Sequence, residues 1–172
     1  MTRRGFTIVE LIITITIMGI LLTLAVVNVN STQMNARDSE RRADIESIAT
    51  ALESFYSIGT DGSTNFGRYP STGLNNNTTA ITKNLRDVDL KSFMAPGIDD
   101  PTLTFIASTN IGTEKSIQTT AGVSPQPTKD QYVYQPIQTD GGVCAGIDCR
   151  KFNLFYRLES DGIVYKVTSK NQ

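Results

Sequence analysis

Three residues stand out for the chemistry of their side chains: Cys144, Cys149 and Glu10, an acid inside an apolar run. Two closely spaced thiols can form a disulfide or share a metal, and a carboxylate in an apolar segment needs a cation or a water-facing position. The chain contains no His, which excludes Ser-His-Asp and Cys-His catalysis, an imidazole base and His-bearing zinc sites. No paired catalytic constellation or Gly-rich phosphate loop stands out either. We therefore expect a protein that is not an enzyme and has no cofactor.

The overall composition argues against binding of nucleic acid by bulk charge. The 172 residues include 16 Lys and Arg against 17 Asp and Glu, a formal net charge of -1, whereas such binding rests on an excess of cations. The charges are unevenly placed, because residues 11–36 contain none. The sequence therefore divides into an apolar N-terminal part and a polar, loop-rich remainder.

Residues 6–29 form an apolar run that is long enough to cross a membrane. As a helix they would span roughly 36 Å, more than the ~30 Å of a hydrocarbon core. Arg3 and Arg4 precede the run and the next cation is Arg37, so the positive-inside bias predicts a cytoplasmic N-terminus and an external remainder. A cleaved secretory signal is the alternative, but the run is too long for one and no clear A-x-A site follows it.

Glu10 is the one acid inside this run. An acid at the bilayer centre costs about 2.5 to 3.5 kcal/mol on insertion scales, and such residues are usually paired with a cation or functional. The simpler alternative is that Glu10 lies near the interface and reaches the lipid headgroups. Membrane physics alone leaves both interpretations open.

The segment GFTIVELI, which begins at Gly5 and contains Glu10, closely resembles the class III signal sequence of the type IV pilin family, whose pattern is GFTLIELL. The resemblance implies that a dedicated prepilin peptidase cleaves between Gly5 and Phe6 and methylates the new amine of Phe6. It also implies that Glu10 neutralises the terminal amine of a neighbouring subunit, which would supply the partner that a buried acid needs. The other implied partners are copies of the same chain in a helical filament, an assembly platform in the membrane, and membrane lipid before assembly.

The two cysteines are predicted to form a disulfide. A tetrahedral zinc site would need two further ligands, and no His or third Cys remains, whereas an external location permits a disulfide. The acids of three predicted turns, Asp140, Asp148 and Asp161, are the alternative, because their oxygens could bind Ca²⁺. They lack an EF-hand spacing, so surface acids are the preferred interpretation and no metal site is predicted.

The N-terminal helix is predicted to continue beyond the apolar run to about Ser57. Apolar residues recur there at three- and four-residue spacing in one stripe: Ile45, Ile48, Ala49, Leu52, Phe55 and Tyr56. A mixed-sign cluster over residues 37–46 is interpreted as a solvated face of the helix. The predicted domains are a cleaved leader at 1–5, a transmembrane or filament-core half-helix at 6–30, an amphipathic half-helix at 31–58 and a globular head at 59–172.

The first part of the head is predicted to be a polar loop followed by a short helix. Residues 59–83 are rich in Gly, Asn, Ser and Thr, and the GRYP segment that ends at Pro70 resembles the one that follows the long helix in major pseudopilins and related pilins. Tyr69 is expected to pack on the helix, with a binding role for Arg68 or Tyr69 as the alternative. Residues 85–94 are predicted to form a short helix.

The second part of the head is predicted to contain four strands, at 103–108, 131–138, 152–159 and 163–169. Asp161 and Gly162 favour a tight hairpin between the last two, which makes that pair antiparallel. Residues 109–130 have too little apolar content for a core and are predicted to be an exposed loop.

The expected fold class is α+β, with a long N-terminal helical spine packed against a C-terminal antiparallel β-sheet head, as in type IV pilins. The resemblance implies a structural pilus subunit, held in the cytoplasmic membrane before assembly and located in a surface filament afterwards. A type II secretion-type pseudopilin or a minor pilin is the alternative within the family. A single-pass anchored binding protein that never polymerises is the alternative outside it.

Overall fold

A computed structural model of the chain describes residues 5–59, 66–75, 77–86, 88–98 and 104–171. It contains a long helix, α1 (Ile8–Ile58), a short helix, α2 (Thr78–Asn84), and the strands β1 (Phe105–Ala107), β2 (Tyr132–Gln138), β3 (Cys149–Arg157) and β4 (Val164–Thr168). Single 3₁₀ turns lie at Thr72–Leu74, Leu90–Phe93 and Lys115–Gln118. The chain divides into two compact units, Met1–Ala36 and Arg37–Gln172. We call the second unit the head; it adds residues 37–58 of α1 to the predicted head at 59–172.

The core of the head forms where one face of α1 packs on the sheet. The predicted stripe supplies the helical side, because its members fall on one face of a 3.6-residue period: Ile45, Ile48, Leu52 and Phe55 are buried, and Ala49 and Tyr56 are partly buried against them. The sheet contributes mainly aromatic and aliphatic side chains: Phe105, Tyr132, Tyr134, Phe152 and Leu154. Each fully buried aliphatic or aromatic side chain contributes about 1.5 to 3 kcal/mol to this packing.

The four strands form one sheet in the order β1-β2-β3-β4. The predicted hairpin is present, since the Leu158 amide donates to the Ile163 carbonyl at 3.2 Å and Gly162 adopts a φ of 67°. The α+β class is confirmed, and β2, β3 and β4 are antiparallel neighbours. The sheet is nevertheless mixed, because β1 pairs with β2 in parallel. The long connection from β1 to β2 lets the chain return and enter the sheet in the same direction.

Two predictions for the region between α1 and the sheet are wrong. Residues 59–83 are not all loop, because α2 begins where the Asn77 side chain accepts the Ala80 amide at 3.0 Å, and it buries Ile81. Conversely, the helix predicted at 85–94 is only the 3₁₀ turn Leu90–Phe93. Side-chain caps therefore decide where these short helices begin.

The segment 109–130 is also less exposed than predicted. Val123 is buried, and with Val133 and Phe155 it forms a second, smaller hydrophobic cluster. Pro127 is buried as well, and side chains of the sheet strands donate to carbonyls of this segment, Gln135 to Ile117 and Arg157 to Pro127. Two buried residues and these hydrogen bonds attach the segment to the sheet, so its low average hydrophobicity gave the wrong expectation.

Candidate functional site

The start of α1 brings the predicted processing and assembly residues together in sequence. Gly5 and Phe6 precede the helix, and the Thr7 hydroxyl caps it by accepting the Glu10 amide at 3.2 Å. Phe6 is 84% exposed. The bond between Gly5 and Phe6 therefore lies in exposed, non-helical backbone, the kind of segment that a peptidase can bind in an extended form.

Between Leu11 and Leu24 the surface of α1 is largely apolar, and no other part of the first unit, Met1–Ala36, buries it. Among the described helices, α1 is the one that is long and apolar enough to cross a membrane. Its most apolar stretch of 18 residues has a mean hydropathy of 2.5 and is not buried. At least half of each of these side chains is exposed: Leu11, Ile12, Ile13, Ile15, Ile17, Met18, Ile20, Leu21, Leu22 and Leu24. So large an apolar surface requires an apolar environment such as lipid or other helices.

The threonines of this apolar part bind to their own helix. The hydroxyls of Thr14, Thr16 and Thr23 donate to carbonyls of the preceding turn, at 2.8 Å, 2.8 Å and 2.7 Å respectively. A hydroxyl that is satisfied in this way carries little desolvation cost in an apolar medium. The threonines are therefore compatible with burial in lipid or in a bundle of helices.

The predicted disulfide between Cys144 and Cys149 is present, with a Cα–Cα distance of 5.4 Å. Both cysteines are fully buried. The carbonyl of Cys149 accepts the Tyr69 amide at 2.8 Å, and the carbonyl of Cys144 accepts the Thr72 amide at 3.1 Å. The disulfide loop therefore holds the GRYP segment as well as the turn between β2 and β3.

Tyr69 packs on α1, as the sequence predicts. Its ring centroid lies 4.7 Å from that of Tyr56 and 4.9 Å from that of Phe152. Its hydroxyl donates to the Glu53 carboxylate at 3.0 Å, and burial is the main cause that raises its pKa. Because both its ring and its hydroxyl are engaged within the head, Tyr69 serves the fold.

A buried ion cluster connects α1 to the hairpin turn, and the sequence interpretation missed it. The Asp38 carboxylate accepts the Glu159 and Ser160 amides at 2.8 Å and 2.9 Å, and Arg41 donates to Asp38 at 2.8 Å. Asp38 and Arg41 are 2% and 1% exposed, and Arg37 forms a bidentate pair with Glu159. The prediction of a solvated face is therefore wrong for Asp38 and Arg41.

The electrostatics of this cluster favour the ionised carboxylates. Burial opposes ionisation of Asp38, but the hydrogen bonds from the hairpin turn and from Arg41 lower its pKa from 3.8 to about 2. The hydrogen bonds from Arg37 are the main cause that lowers the pKa of Glu159. The one signal in the sequence was the spacing of Asp38 and Arg41, one helical turn apart, which equally fits an exposed ion pair.

Asp44 behaves in the opposite way. Burial raises its pKa to about 6, although the hydrogen bond that the Tyr132 hydroxyl donates to it, 2.9 Å long, favours the charged form. The nearby charge of Glu40 raises the pKa further. Asp44 therefore titrates in a range that few carboxylates reach.

The three turn acids that were considered for Ca²⁺ bind other groups of the protein. Asp140 accepts the Gly142 amide, Asp148 pairs with Arg150, and Asp161 accepts the Ile163 amide and the Tyr165 hydroxyl. In the part of the chain that the structure describes, no group of three or more His, Cys, Asp or Glu side chains could hold a metal ion.

Comparison with known proteins bears on the N-terminal part of the chain. The family described as "Prokaryotic N-terminal methylation motif" matches residues 1–26. The chain is also 39% identical over 55 residues to the protein named "Type IV major pilin protein PilA" from Myxococcus xanthus (strain DK1622). The N-terminal part of this chain is similar to type IV pilins.

The match between this chain and PilA is confined to part of each protein. It covers 32% of this chain and 25% of the length of PilA. No solved structure matches the chain significantly. The family match therefore concerns the start of the chain, and most of the chain has no aligned counterpart in PilA.

Proposed function

We propose that this pilin-like chain is a structural, non-enzymatic subunit of a type IV pilus. In this proposal a prepilin peptidase cleaves between Gly5 and Phe6 and methylates the Phe6 amine, and an assembly platform polymerises the mature subunit through the apolar part of α1. The observation that carries the proposal is the unburied apolar surface of this helix with one acid, Glu10, inside it. The name of the relative, a major pilin, supports it.

The proposal accounts for the apolar surface in two successive environments. Lipid would cover residues 6–30 while the subunit waits in the cytoplasmic membrane, and helices of other copies would cover them in a surface filament. Residues 31–58 and the head at 59–172 would lie outside the membrane, after loss of the leader at 1–5. Arg3 and Arg4 favour this orientation because cations remain on the cytoplasmic side.

Glu10 would contribute the specificity of assembly. A carboxylate and an ammonium in an apolar filament core are each costly alone, and they compensate each other only when they meet in good geometry. The Phe6 amine, created by cleavage, would be the cation that Glu10 of a neighbouring copy binds. Cleavage would thus produce the partner that assembly needs.

Intact-mass analysis of the subunit in purified filaments tests the processing. The expected mass is that of a chain that begins at Phe6 and carries one methyl group on its amine. A mature chain that begins at Met1, or beyond residue 29, contradicts the proposal. Filaments that lack the chain altogether would favour an anchored binding protein.

A substitution at Glu10 tests the assembly step. Glu10→Leu should accumulate in the membrane at least as well as wild type, because removal of a carboxylate eases insertion, but it should form few or no filaments, since the Phe6 ammonium would be buried without its counter-charge. Membrane and filament pools are measured in the same cells. Thr16→Leu, which changes an uncharged residue of the same helix, is the matched control and should polymerise. Normal filament numbers for Glu10→Leu would show that charge neutralisation is not the mechanism.

A further inference from the structure

We infer that the heads of neighbouring subunits interlock, with Ile111 and Glu114 of one copy entering a cavity beside Arg68 of the next. The inference rests on the proposed function, since it concerns contacts between copies of this chain in a filament. It depends on three features of the head: a cavity whose mixed lining includes buried apolar side chains, two cations against one anion at its rim, and an exposed loop that offers an aliphatic side chain and an anion.

The cavity lies beside the disulfide loop and has a volume of about 300 Å³. The side chains of Phe55 and Leu74 line it and are themselves buried, whereas Ile147, which also lines it, is 78% exposed. An aliphatic side chain that entered this cavity would cover Ile147 and would contact the two buried apolar residues. This part of the cavity can therefore receive an aliphatic side chain from another molecule, while its polar lining remains free for polar contacts.

The rim of the cavity carries two cations and one anion. Arg150 binds the Asp148 carboxylate at 2.8 Å, and Arg68, which lines the cavity, lies 3.8 Å from the same oxygen. Since 3.8 Å is beyond hydrogen-bonding distance, Asp148 leaves the guanidinium of Arg68 with donors for an additional carboxylate. The surplus charge at the rim thus favours an acidic occupant.

A segment of the same chain matches these requirements. Ile111 is 95% exposed, and no other large apolar side chain among the described residues is more exposed. Glu114, three positions later, is also exposed, and the described residues offer it no salt bridge. Hydrogen bonds on both sides of Ile111 hold the loop in place, since the Thr109 amide donates to Ser124 and the Ile117 amide donates to Glu114.

The cavity and the loop are formed by different residues of the head, so each copy has one of each to offer. Contacts between unlike patches join subunits head to tail and, unless the rotation closes a ring, generate an open helical filament. The apolar contact would bring the subunits together and the Arg68–Glu114 pair would determine their register. A second copy of this chain is therefore the occupant that fits both the cavity and the proposed function.

A charge exchange in the full-length chain, expressed in cells that assemble its filaments, tests the contact. Arg68→Glu and Glu114→Arg alone should each lower the amount of filament at least about tenfold, equivalent to ~1.4 kcal/mol per contact, and the double variant should restore most of it. Ile111→Ser should also reduce assembly, whereas Ile163→Ser, which removes another exposed aliphatic side chain, should not. Thermal melting of each purified variant verifies that the head folds.

A photo-crosslinking amino acid at position 111 supplies a second readout. With a mixture of light and isotopically heavy chains, mass spectrometry should find crosslinks from position 111 of one copy to residues 68–74 or 146–147 of another. If the wild-type chain forms filaments and Arg68→Glu, Glu114→Arg and Ile111→Ser assemble as well as wild type, the interlock is wrong. The proposed pilus function would still stand. Crosslinks to a different protein, or none between copies, would overturn it as well. Intercopy crosslinks without any filaments would instead overturn the pilus function.

Discussion

The buried carboxylate of Asp38 gives the sharpest test of how the head is stabilised. Its two oxygens accept amides of the hairpin turn and a guanidinium of Arg41, so Asp38→Asn removes the charge while nearly preserving the shape. Asp38→Asn also leaves the Arg41 cation, which is 1% exposed, with Glu159 as its nearest carboxylate, 3.4 Å away. We expect Asp38→Asn to fold but to be clearly less stable than wild type.

The magnitude follows from the pKa of Asp38. Lowering it from 3.8 to about 2 corresponds to ~2.5 kcal/mol of folding free energy at neutral pH, at about 1.36 kcal/mol per pH unit. Because the folded pKa lies below the unfolded one, this contribution is complete above about pH 4 and is lost as the pH falls through about 2. A buried cation that loses its partner can cost about 3 to 5 kcal/mol, but Glu159 compensates part of this. We therefore expect a loss of about 2 to 4 kcal/mol.

Thermal unfolding of the full chain in detergent, followed by the near-UV circular dichroism of its tyrosines, measures this loss. At about 2 to 4 °C per kcal/mol for a domain of this size, Asp38→Asn should lower Tm by roughly 5 to 15 °C at pH 7, and its Tm should depend less on pH between 4 and 2. Glu46→Gln, an exposed acid on the same helix, is the control and should change Tm little. Asp38→Asn would contradict this account of the cluster if it lost no more stability than Glu46→Gln and if its Tm depended on pH between 4 and 2 as much as that of wild type.

Two further predictions concern the head. Because burial raises the pKa of Asp44 to about 6, its contribution to the free energy of unfolding falls as the pH rises from about 4 to about 6. Asp44→Asn should therefore be more stable than wild type at pH 7.5 and equally stable near pH 4. Equal melting temperatures at pH 7.5 would contradict this. Replacing Cys144 and Cys149 by Ser together should cost about 2 to 3 kcal/mol. It should also expose the GRYP segment, because the Tyr69 amide binds the Cys149 carbonyl and the Thr72 amide, just after the segment, binds the Cys144 carbonyl. Trypsin should then cleave after Arg68 much faster than in the oxidised chain, and an unchanged digestion pattern would show that the loop does not hold this segment.

The elements that could be predicted from the sequence are those whose signal is local. The apolar run and the stripe from Ile45 to Tyr56 share one helical period, so the long helix and its buried face followed directly. Asp161 and Gly162 have the backbone preferences of a tight turn, which gave the hairpin between β3 and β4. The two cysteines had no other ligand to share a metal with, which left the disulfide.

The features that could not be predicted depend on contacts between distant segments. The residues around Phe105 do not indicate whether β1 pairs with β2 in parallel or antiparallel. The direction depends on the path of the long connection between Ala107 and Tyr132. Asn77 caps α2 from within a run of Asn and Thr that has the composition of a loop. Asp38 and Arg41 are buried only because the turn at Glu159 lies on them, and a helix periodicity does not contain that information.

The hydroxyls of Thr14, Thr16 and Thr23 have a consequence for the transfer of the subunit between environments. Each already donates to a carbonyl of its own helix, so the same hydrogen bonds can persist whether lipid chains or other helices surround the segment. In the proposed assembly these threonines would therefore keep their partners when a subunit leaves the bilayer, and the apolar surface would meet surroundings of similar polarity before and after the transfer. The chemical difference between the two environments is then concentrated at Glu10, whose carboxylate would be the group that changes its neighbour.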